Sequence, residues 1–264
     1  MAREKARPAF RWRLWLSIFA WCAIFVSSAM AARKVHHFVL QDPRFVLSIE
    51  DRRALILQGV NYASRAKLLR VFAADWGGSI FAVPLDERRR RLLAVDWVED
   101  AMVARIWPNR LLVRITERQP VAFVSLPLHG GAAARFLLVD AQGVLLDPPV
   151  RAQFAFPVLT GLTDDQTDAE RRVRVLAMQS LMDDLGPAGQ NISEINVAAP
   201  DDLTVVAQVE GRPLELKLGD GNYATRLQNF LLHYPEIRKH AANVSTFDLR
   251  LDDRITAKDQ TNQP

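Results

Sequence analysis

Val95-Asp96-Trp97-Val98-Glu99-Asp100-Ala101-Met102-Val103-Ala104-Arg105-Ile106-Trp107-Pro108-Asn109-Arg110-Leu111-Leu112-Val113 and, two residues on, Thr116-Glu117-Arg118-Gln119-Pro120-Val121-Ala122 form the stretch on which the fold turns. Val98 to Ile106 alternates weakly, Pro108-Asn109 makes a turn, and Leu111, Val113 and Ile115 alternate with Leu112, Arg114 and Thr116, which predicts a β-hairpin. Trp97 and Val98 open the hairpin where they can fill a helix–sheet interface, and Pro108 shapes its turn. Glu117-Arg118 with Pro120 marks the exit to a second domain. A Glu and an Arg at such a junction either fix the angle between modules through a charge-assisted hydrogen bond or simply face water.

Upstream of the hairpin, Pro84 opens a helix in which Leu85, Leu92 and Leu93 face inward and Asp86 to Arg91 face water. Asp86 with Arg90 and Glu87 with Arg91 stand at i,i+4 spacing, so the run Arg88 to Arg91 reads as a solvated face; a docking patch is the other reading. An earlier helix starts at the N-cap Ser64, carries Leu68, Leu69, Val71 and Phe72, and stops at Gly77-Gly78. Before it, the alternation of Phe45, Leu47 and Ile49 and the apolar run Ala54 to Leu57 read as two short strands. From Ala54 to Thr116 the order is strand, helix, helix, strand, strand: a small sheet with two helices over one face.

Leu14 to Ala32 contains no charge and is bounded by Arg13 and Arg33-Lys34. A helix of that length just covers a hydrocarbon core of roughly 30 Å. Arg3, Lys5, Arg7, Arg11 and Arg13 against Glu4 keep the preceding end in the cytoplasm by the positive-inside rule, and place the chain from Arg33 on the far side. A cleavable signal peptide with Ala29-Met30-Ala31 as its site is the rival reading. Both export the bulk of the chain. Arg33 to Pro43 is a polar connector, and its His36-His37 pair has no third ligand near in sequence.

Five of the 34 Lys and Arg and one of the 30 Asp and Glu precede the apolar run, which leaves 29 of each sign beyond it. A formally neutral exported part argues against a nucleic-acid surface. The single cysteine, Cys22, lies in the apolar run, so the exported domains hold no disulfide, thiolate metal site or cysteine nucleophile.

Downstream, Val121 to Leu126, Phe136 to Val139 and Val144 to Leu146 read as strands, with Asp140-Ala141-Gln142-Gly143 as the turn between the last two. Val175, Met178, Met182 and Leu185 recur at helical spacing until Gly186-Pro187. Ile192 to Val197, Leu203 to Val209 and Pro213 to Leu218 are half-exposed antiparallel strands. Gly219-Asp220-Gly221-Asn222-Tyr223-Ala224 imitates a dinucleotide fingerprint, but its strand alternates charge with apolar residues and no second βαβ unit follows. The helix it opens carries Leu227, Phe230, Leu231 and Tyr234 inward and ends at Pro235, and Val244 to Leu251 is a last strand.

The opening stretch resembles the W-V-x-x-A-x-V-x-R-x-x-P-x-x-L-x-V-x-I-x-E-R-x-P-V-A signature of the FtsQ/DivIB family of bacterial cell-division proteins, matched at Trp97, Val98, Arg105 and Pro108 among others. Ser79-Ile80-Phe81, the "L-V-D-x-x-G" element ending at Gly143, the "L-P-x-L-x-G" element ending at Gly161 and Phe247-Asp248-Leu249-Arg250-Leu251 are similar to the family too. Leu251 stands where the family usually has an aromatic, and Arg254 where a Gly often follows. The resemblance implies an α+β chain: a membrane-anchored POTRA domain (polypeptide-transport-associated, β-α-α-β-β) followed by a mixed, mainly antiparallel β domain with flanking helices. The corresponding division is a cytoplasmic tail at 1–13, a transmembrane helix at 14–32, a connector at 33–43, the POTRA domain at 44–119, the β domain at 120–256 and a polar tail at 257–264.

The resemblance also implies a non-enzymatic divisome scaffold of the inner membrane, single-pass, mostly periplasmic and placed at the septum. Its partners are FtsB/FtsL-like single-pass proteins and other divisome proteins, without nucleic acid, cofactor, metal or small-molecule substrate. The partner strand adds at the C-terminal strand, which points to Phe247, Leu249, Arg250, Leu251, Asp252, Ile255 and Thr256 as contact residues, with Glu117, Arg118 and Pro120 at the domain junction. A POTRA-bearing accessory of envelope protein secretion or assembly is the alternative, and a wall hydrolase a third. No G-x-S-x-G or H-E-x-x-H is present, and His36, His37, His129, His233 and His240 are not at ligand spacing. The Asp-Asp pairs starting at 164, 183, 201 and 252 fit caps and turns.

Overall fold

The computed structural model describes residues 11–127, 134–149, 152–241, 243–251 and 254–258, so His129, Asp252 and Asp253 lie outside the described residues. Two compact units divide between Glu117 and Arg118.

The first unit begins with α1 (Arg11–Gln41), which does not stop at Ala32. The residues assigned to a connector continue it, because neither Gly nor Pro occurs between Arg33 and Gln41 and the first breaker is Pro43. A 3-10 turn, Pro43–Phe45, follows, capped by the Asp42 carboxylate accepting the Arg44 N–H at 2.9 Å. The strand expected over Phe45 to Ile49 is reduced to one bridge, Val46 with Ser79; Leu47 is fully buried while Ile49 is exposed.

Then come β1 (Leu55–Gln58), α2 (Arg65–Arg70), α3 (Leu85–Leu93), β2 (Val98–Ile106) and β3 (Arg110–Glu117). Ser64 caps α2 by accepting the Lys67 N–H, as its position before the helix predicts. β2 and β3 form the antiparallel hairpin, β1 lies parallel to β3, and the sheet order is β1-β3-β2. Leu111, Val113 and Ile115 turn the buried face of β3 inward, and Leu68, Phe72, Ile80 and Leu92 of the same unit are fully buried as well.

The solvated-face reading of α3 fails at one residue. Arg88 is buried: its Nε and Nη2 donate to the two carboxylate oxygens of Asp75 at 2.6 and 2.8 Å. Leu85, Arg88 and Leu92 share one face of the helix at i, i+3 and i+7, so Arg88 sits in the inward stripe. Glu87 and Arg91 do pair at i,i+4 spacing, at 2.5 Å.

The second unit contains β4 (Pro120–Leu126), β5 (Arg135–Asp140), β6 (Leu145–Leu146), β7 (Val158–Thr160), α4 (Asp168–Leu185), β8 (Ile192–Asn196), β9 (Leu203–Val209), β10 (Arg212–Gly219), α5 (Tyr223–His240), β11 (Thr246–Asp248) and β12 (Thr256–Lys258). They make one sheet in the order β12-β11-β10-β9-β8-β7-β4-β5-β6. Among the described residues β4/β7, β7/β8 and β10/β11 pair in parallel and the other five pairs are antiparallel. The chain is therefore α+β, with a mixed, mainly antiparallel second sheet. Leu203, Val205, Ala207 and Val209 are buried with α4 and α5 in one core, while alternate residues of β9 are more exposed.

Two elements differ from the periodicity reading. Pro235 lies inside α5 instead of ending it. An interior proline forfeits a backbone hydrogen bond at about 3 kcal/mol, but the apolar stripe of Leu227, Phe230 and Tyr234 continues beyond it to Ile237, which packs on the same core and holds the last turn. Leu231, expected inward, is substantially exposed. The last strand is shorter than Val244 to Leu251: β11 has three residues, and the chain returns as β12 alongside it.

Gly143 gives the "L-V-D-x-x-G" element a physical meaning. Its φ is +83°, and a β-carbon there would stand 2.6 Å from the Arg172 nitrogen, because the turn after β5 presses on the first turn of α4. Arg171, buried in that turn, donates to the Gly143 carbonyl at 2.8 Å and also bonds the Gln166 carbonyl and Asp168.

Candidate functional site

The residues of the opening stretch are structural couplers of the first unit. Trp97 adopts a left-handed conformation, φ +70°, that few bulky residues tolerate, and burial beside the Tyr62 ring at 5.0 Å holds it there. Val98 is buried next to it. Arg105 reaches from β2 to the segment before α3 and donates to the carbonyls of Ile80 at 2.6 Å, Phe81 at 3.3 Å and Val83 at 2.7 Å. One planar guanidinium thus satisfies three carbonyls that belong to no helix or strand. Pro108 lies at the hairpin tip.

At the junction each charged residue is engaged inside its own unit. The Glu117 carboxylate is buried and accepts the consecutive N–H groups of Asn61, Tyr62 and Ala63 at 2.9, 2.9 and 2.7 Å, which closes the loop between β1 and α2. Arg118 donates to Asp140 at 2.7 Å. The other oxygen of Asp140 accepts the N–H groups of Gln142 and Val144, both at 2.9 Å, so Arg118 braces the β5–β6 turn. Pro120 begins β4 opposite Asp140.

The C-terminal candidates separate into two sets. Phe247 and Leu249 are core residues: the Phe247 ring lies tilted at 5.1 Å from Phe230 and edge-to-face at 6.2 Å from Tyr234, both of α5. β11 itself is interior, with β10 on one side and β12 on the other. The terminal strand is β12, whose Thr256 and Ala257 are exposed, and Thr256 pairs with Asp248. Leu251 is 53% exposed and Ile255 half-buried against the core. Asp252 lies outside the described residues.

Arg250 binds Asp248 through two hydrogen bonds, at 2.9 and 2.6 Å, and Asp202 at 3.1 Å. Beside this cluster lies a cavity of about 360 Å³, walled by Arg226, Asn229 and His233 of α5 and by Leu249, Leu251, Arg254 and Ile255. The α5 wall was missed in the sequence, although its i, i+3, i+7 spacing, one position before the apolar stripe, carries the signal. Among the described residues β12 has one edge without a paired strand, and Arg226 in the cavity wall is held by the Leu218 carbonyl at 2.6 Å and by Asp220 at 3.6 Å. Among the described residues no three His, Cys, Asp or Glu converge on a metal-sized site.

The hydrogen bond from Arg250 holds the Asp248 carboxyl below its usual value of 3.8, against an opposing effect of burial. A depressed carboxylate contributes stability that is complete above the unfolded value and lost as the pH falls through the lower folded value. A carboxyl-carbon NMR titration of Asp248 should therefore show a midpoint below 3.8, and Arg250→Gln should move it back up. An unchanged midpoint in the variant would assign the shift to another cause.

The chain matches two family models: "POTRA domain, FtsQ-type" over residues 53–118 and "Cell division protein FtsQ/DivIB, C-terminal" over residues 131–250. The second match ends at Arg250, ahead of β12. Among curated proteins it is similar to the cell division protein FtsQ of Koribacter versatilis, 33% identical over 78% of this chain and 60% of that protein. The FtsQ of Bordetella pertussis is 39% identical over 32% of this chain and 31% of its own, and that of Myxococcus fulvus 28% identical over 74% and 66%. The chain thus spans less than two thirds of the length of these relatives.

Proposed function

The chain belongs to the FtsQ/DivIB family of bacterial cell-division proteins, and on that premise we propose that it is a non-enzymatic divisome scaffold linking early and late division proteins at the septum. In this reading α1 anchors the chain in the inner membrane with its N-terminus in the cytoplasm, the POTRA unit stands next to the membrane, and the second unit binds partners in the periplasm. The main partner is an FtsB-like single-pass protein that adds a strand to the C-terminal sheet edge, with FtsL-like and other divisome proteins around it.

The observation that supports partner addition is the placement of β12. Among the described residues it ends the sheet, is three residues long, and its exposed Thr256 and Ala257 leave one row of backbone groups to a partner. Leu251 and Ile255, which line the adjoining cavity, supply apolar contacts. Phe247 and Leu249 serve indirectly, as the core that holds β11 in place.

The direct test is the position of a fluorescent protein fused to the N-terminus in growing cells. The expected result is a band at mid-cell that forms before constriction. A uniform envelope signal would overturn the division reading in favour of an envelope-secretion accessory.

A further inference from the structure

The first unit carries an aromatic patch that neither its core nor the partner edge explains. Trp107, at the tip of the β2–β3 hairpin, is 73% exposed, and Phe38 of α1 and Phe81 are 50% and 40% exposed. All three rings gather on one buried ring, Phe45, with centroids at 6.4, 6.1 and 5.3 Å respectively. Phe38, Phe45 and Trp107 line a cavity of about 420 Å³ together with Arg44, Pro108 and Asn109. The Arg44 guanidinium, held to Asp42 at 2.9 Å, lies 5.6 Å from the centre of the Phe38 ring and is otherwise open to solvent.

Isolated exposed apolar residues are ordinary on any surface. This patch is distinguished by its place at the end of α1, in which Trp15–Gln41 is long and apolar enough to cross a membrane. At roughly 1.5 Å per residue that stretch is about 39 Å long, and at a typical tilt of about 20° it rises about 37 Å. The uncharged run that ends at Ala32 takes the hydrocarbon core of about 30 Å, and the stretch from Arg33 to Gln41 rises about 13 Å beyond it, through a headgroup layer of roughly 5–7 Å. Gln41, and with it the Asp42–Phe45 turn, therefore emerges at the outer surface of the headgroup layer.

The unit is also fastened to α1. The Ser79 hydroxyl donates to the Val39 carbonyl at 2.9 Å, and Arg105 ties the hairpin to the carbonyls that follow Ser79. The tip is thereby held beside the helix end. An indole prefers the zone where its ring is half-buried and its N–H wet, and a guanidinium pairs with phosphate oxygens in a fork.

Taking α1 as the anchor, we propose that Trp107, Phe38 and Arg44 seat the POTRA unit on the phospholipid headgroup layer of the outer leaflet that α1 leaves. The occupant is the lipid surface itself, because the patch continues the exposed face of the spanning helix through the Phe38–Phe45 contact. The consequence is orientation: the three-stranded sheet stands at a set angle to the bilayer, with the end of the hairpin near Glu99 and Glu117 pointing away.

The test uses the full chain in phosphatidylethanolamine–phosphatidylglycerol vesicles, with Cys22→Ser removing the native thiol. A fluorophore is placed at Asn109→Cys or, about 23 Å along β2, at Glu99→Cys, and quenched by lipids carrying a nitroxide on the headgroup. Quenching several-fold stronger at position 109 than at 99, and reduced at 109 by Trp107→Ser with Arg44→Gln, is the expected result. Equal quenching at both positions, or quenching at 109 indifferent to those substitutions, would overturn the proposal and leave the patch to a protein partner. A fluorophore on native Cys22, read against chain-nitroxide lipids, reports the anchor separately. Quenching at Cys22 without quenching at 109 rejects the docking and keeps the anchor; no quenching at Cys22 rejects both.

Discussion

Arg88→Ala should lower the unfolding free energy of the first unit by about 3–5 kcal/mol, the usual cost of removing one partner of a buried ion pair. The side chains of Arg88 and Asp75 are only 7% and 6% exposed, and their two hydrogen bonds are short and parallel. Alanine at 88 leaves the Asp75 carboxylate buried without its counter-charge. A double replacement, Arg88→Met with Asp75→Leu, removes both charges and should recover most of the loss, since apolar pairs often replace buried ion pairs at little cost. Urea unfolding of the detergent-solubilised chain, read by hydrogen exchange at the amides of β2 and β3, measures both. A loss below about 1 kcal/mol in the single variant would place the pair in the class of surface ion pairs and contradict its burial.

Proline in β12 should have the largest effect on partner binding. Along an antiparallel strand alternate residues turn their N–H groups toward the neighbour or away from it. Of Thr256→Pro and Ala257→Pro, one therefore removes a donor that faces the partner and the other a rung shared with β11. Either change should weaken binding of an FtsB-like partner by about tenfold to a hundredfold, the equivalent of about 1–3 kcal/mol for a lost backbone hydrogen bond. The variant whose lost N–H faces the partner should keep the melting temperature of the unit, because Phe247 remains packed under α5 and β11 remains paired with β10 and β12, while the variant that loses the β11 rung should lower it. Unchanged co-purification of the partner with both variants would exclude strand addition at this edge.

Proline at Leu251 would be a poorer probe. Leu251 lies in the connection between β11 and β12, in neither strand, so a change there would confuse loop geometry with edge chemistry. The expected contact set Phe247 to Thr256 is divided in the same way: Phe247 and Leu249 alternate into the core, while Leu251 and Thr256 reach solvent. A period of two in a strand reveals which residues share a face, but not which strand ends the sheet.

The sequence by itself determined the local elements. Alternation on both sides of Pro108-Asn109 made the hairpin, the run from Leu14 made the apolar helix, and the spacing of Val175, Met178 and Leu185 made α4; each signal lies within a few residues of the structure it specifies. Only the tertiary structure decided which charged residues turn inward and which strand is exposed. Arg88 looks like its neighbours Arg89 to Arg91 until Asp75, thirteen residues away, is brought against it. Pro235 reads as a stop until Ile237 finds the core beyond it. β12 carries too short a pattern to announce itself, and exists because β11 offers it an edge. Burial and sheet order are set by pairings between residues far apart in the chain, and a local period holds no record of them.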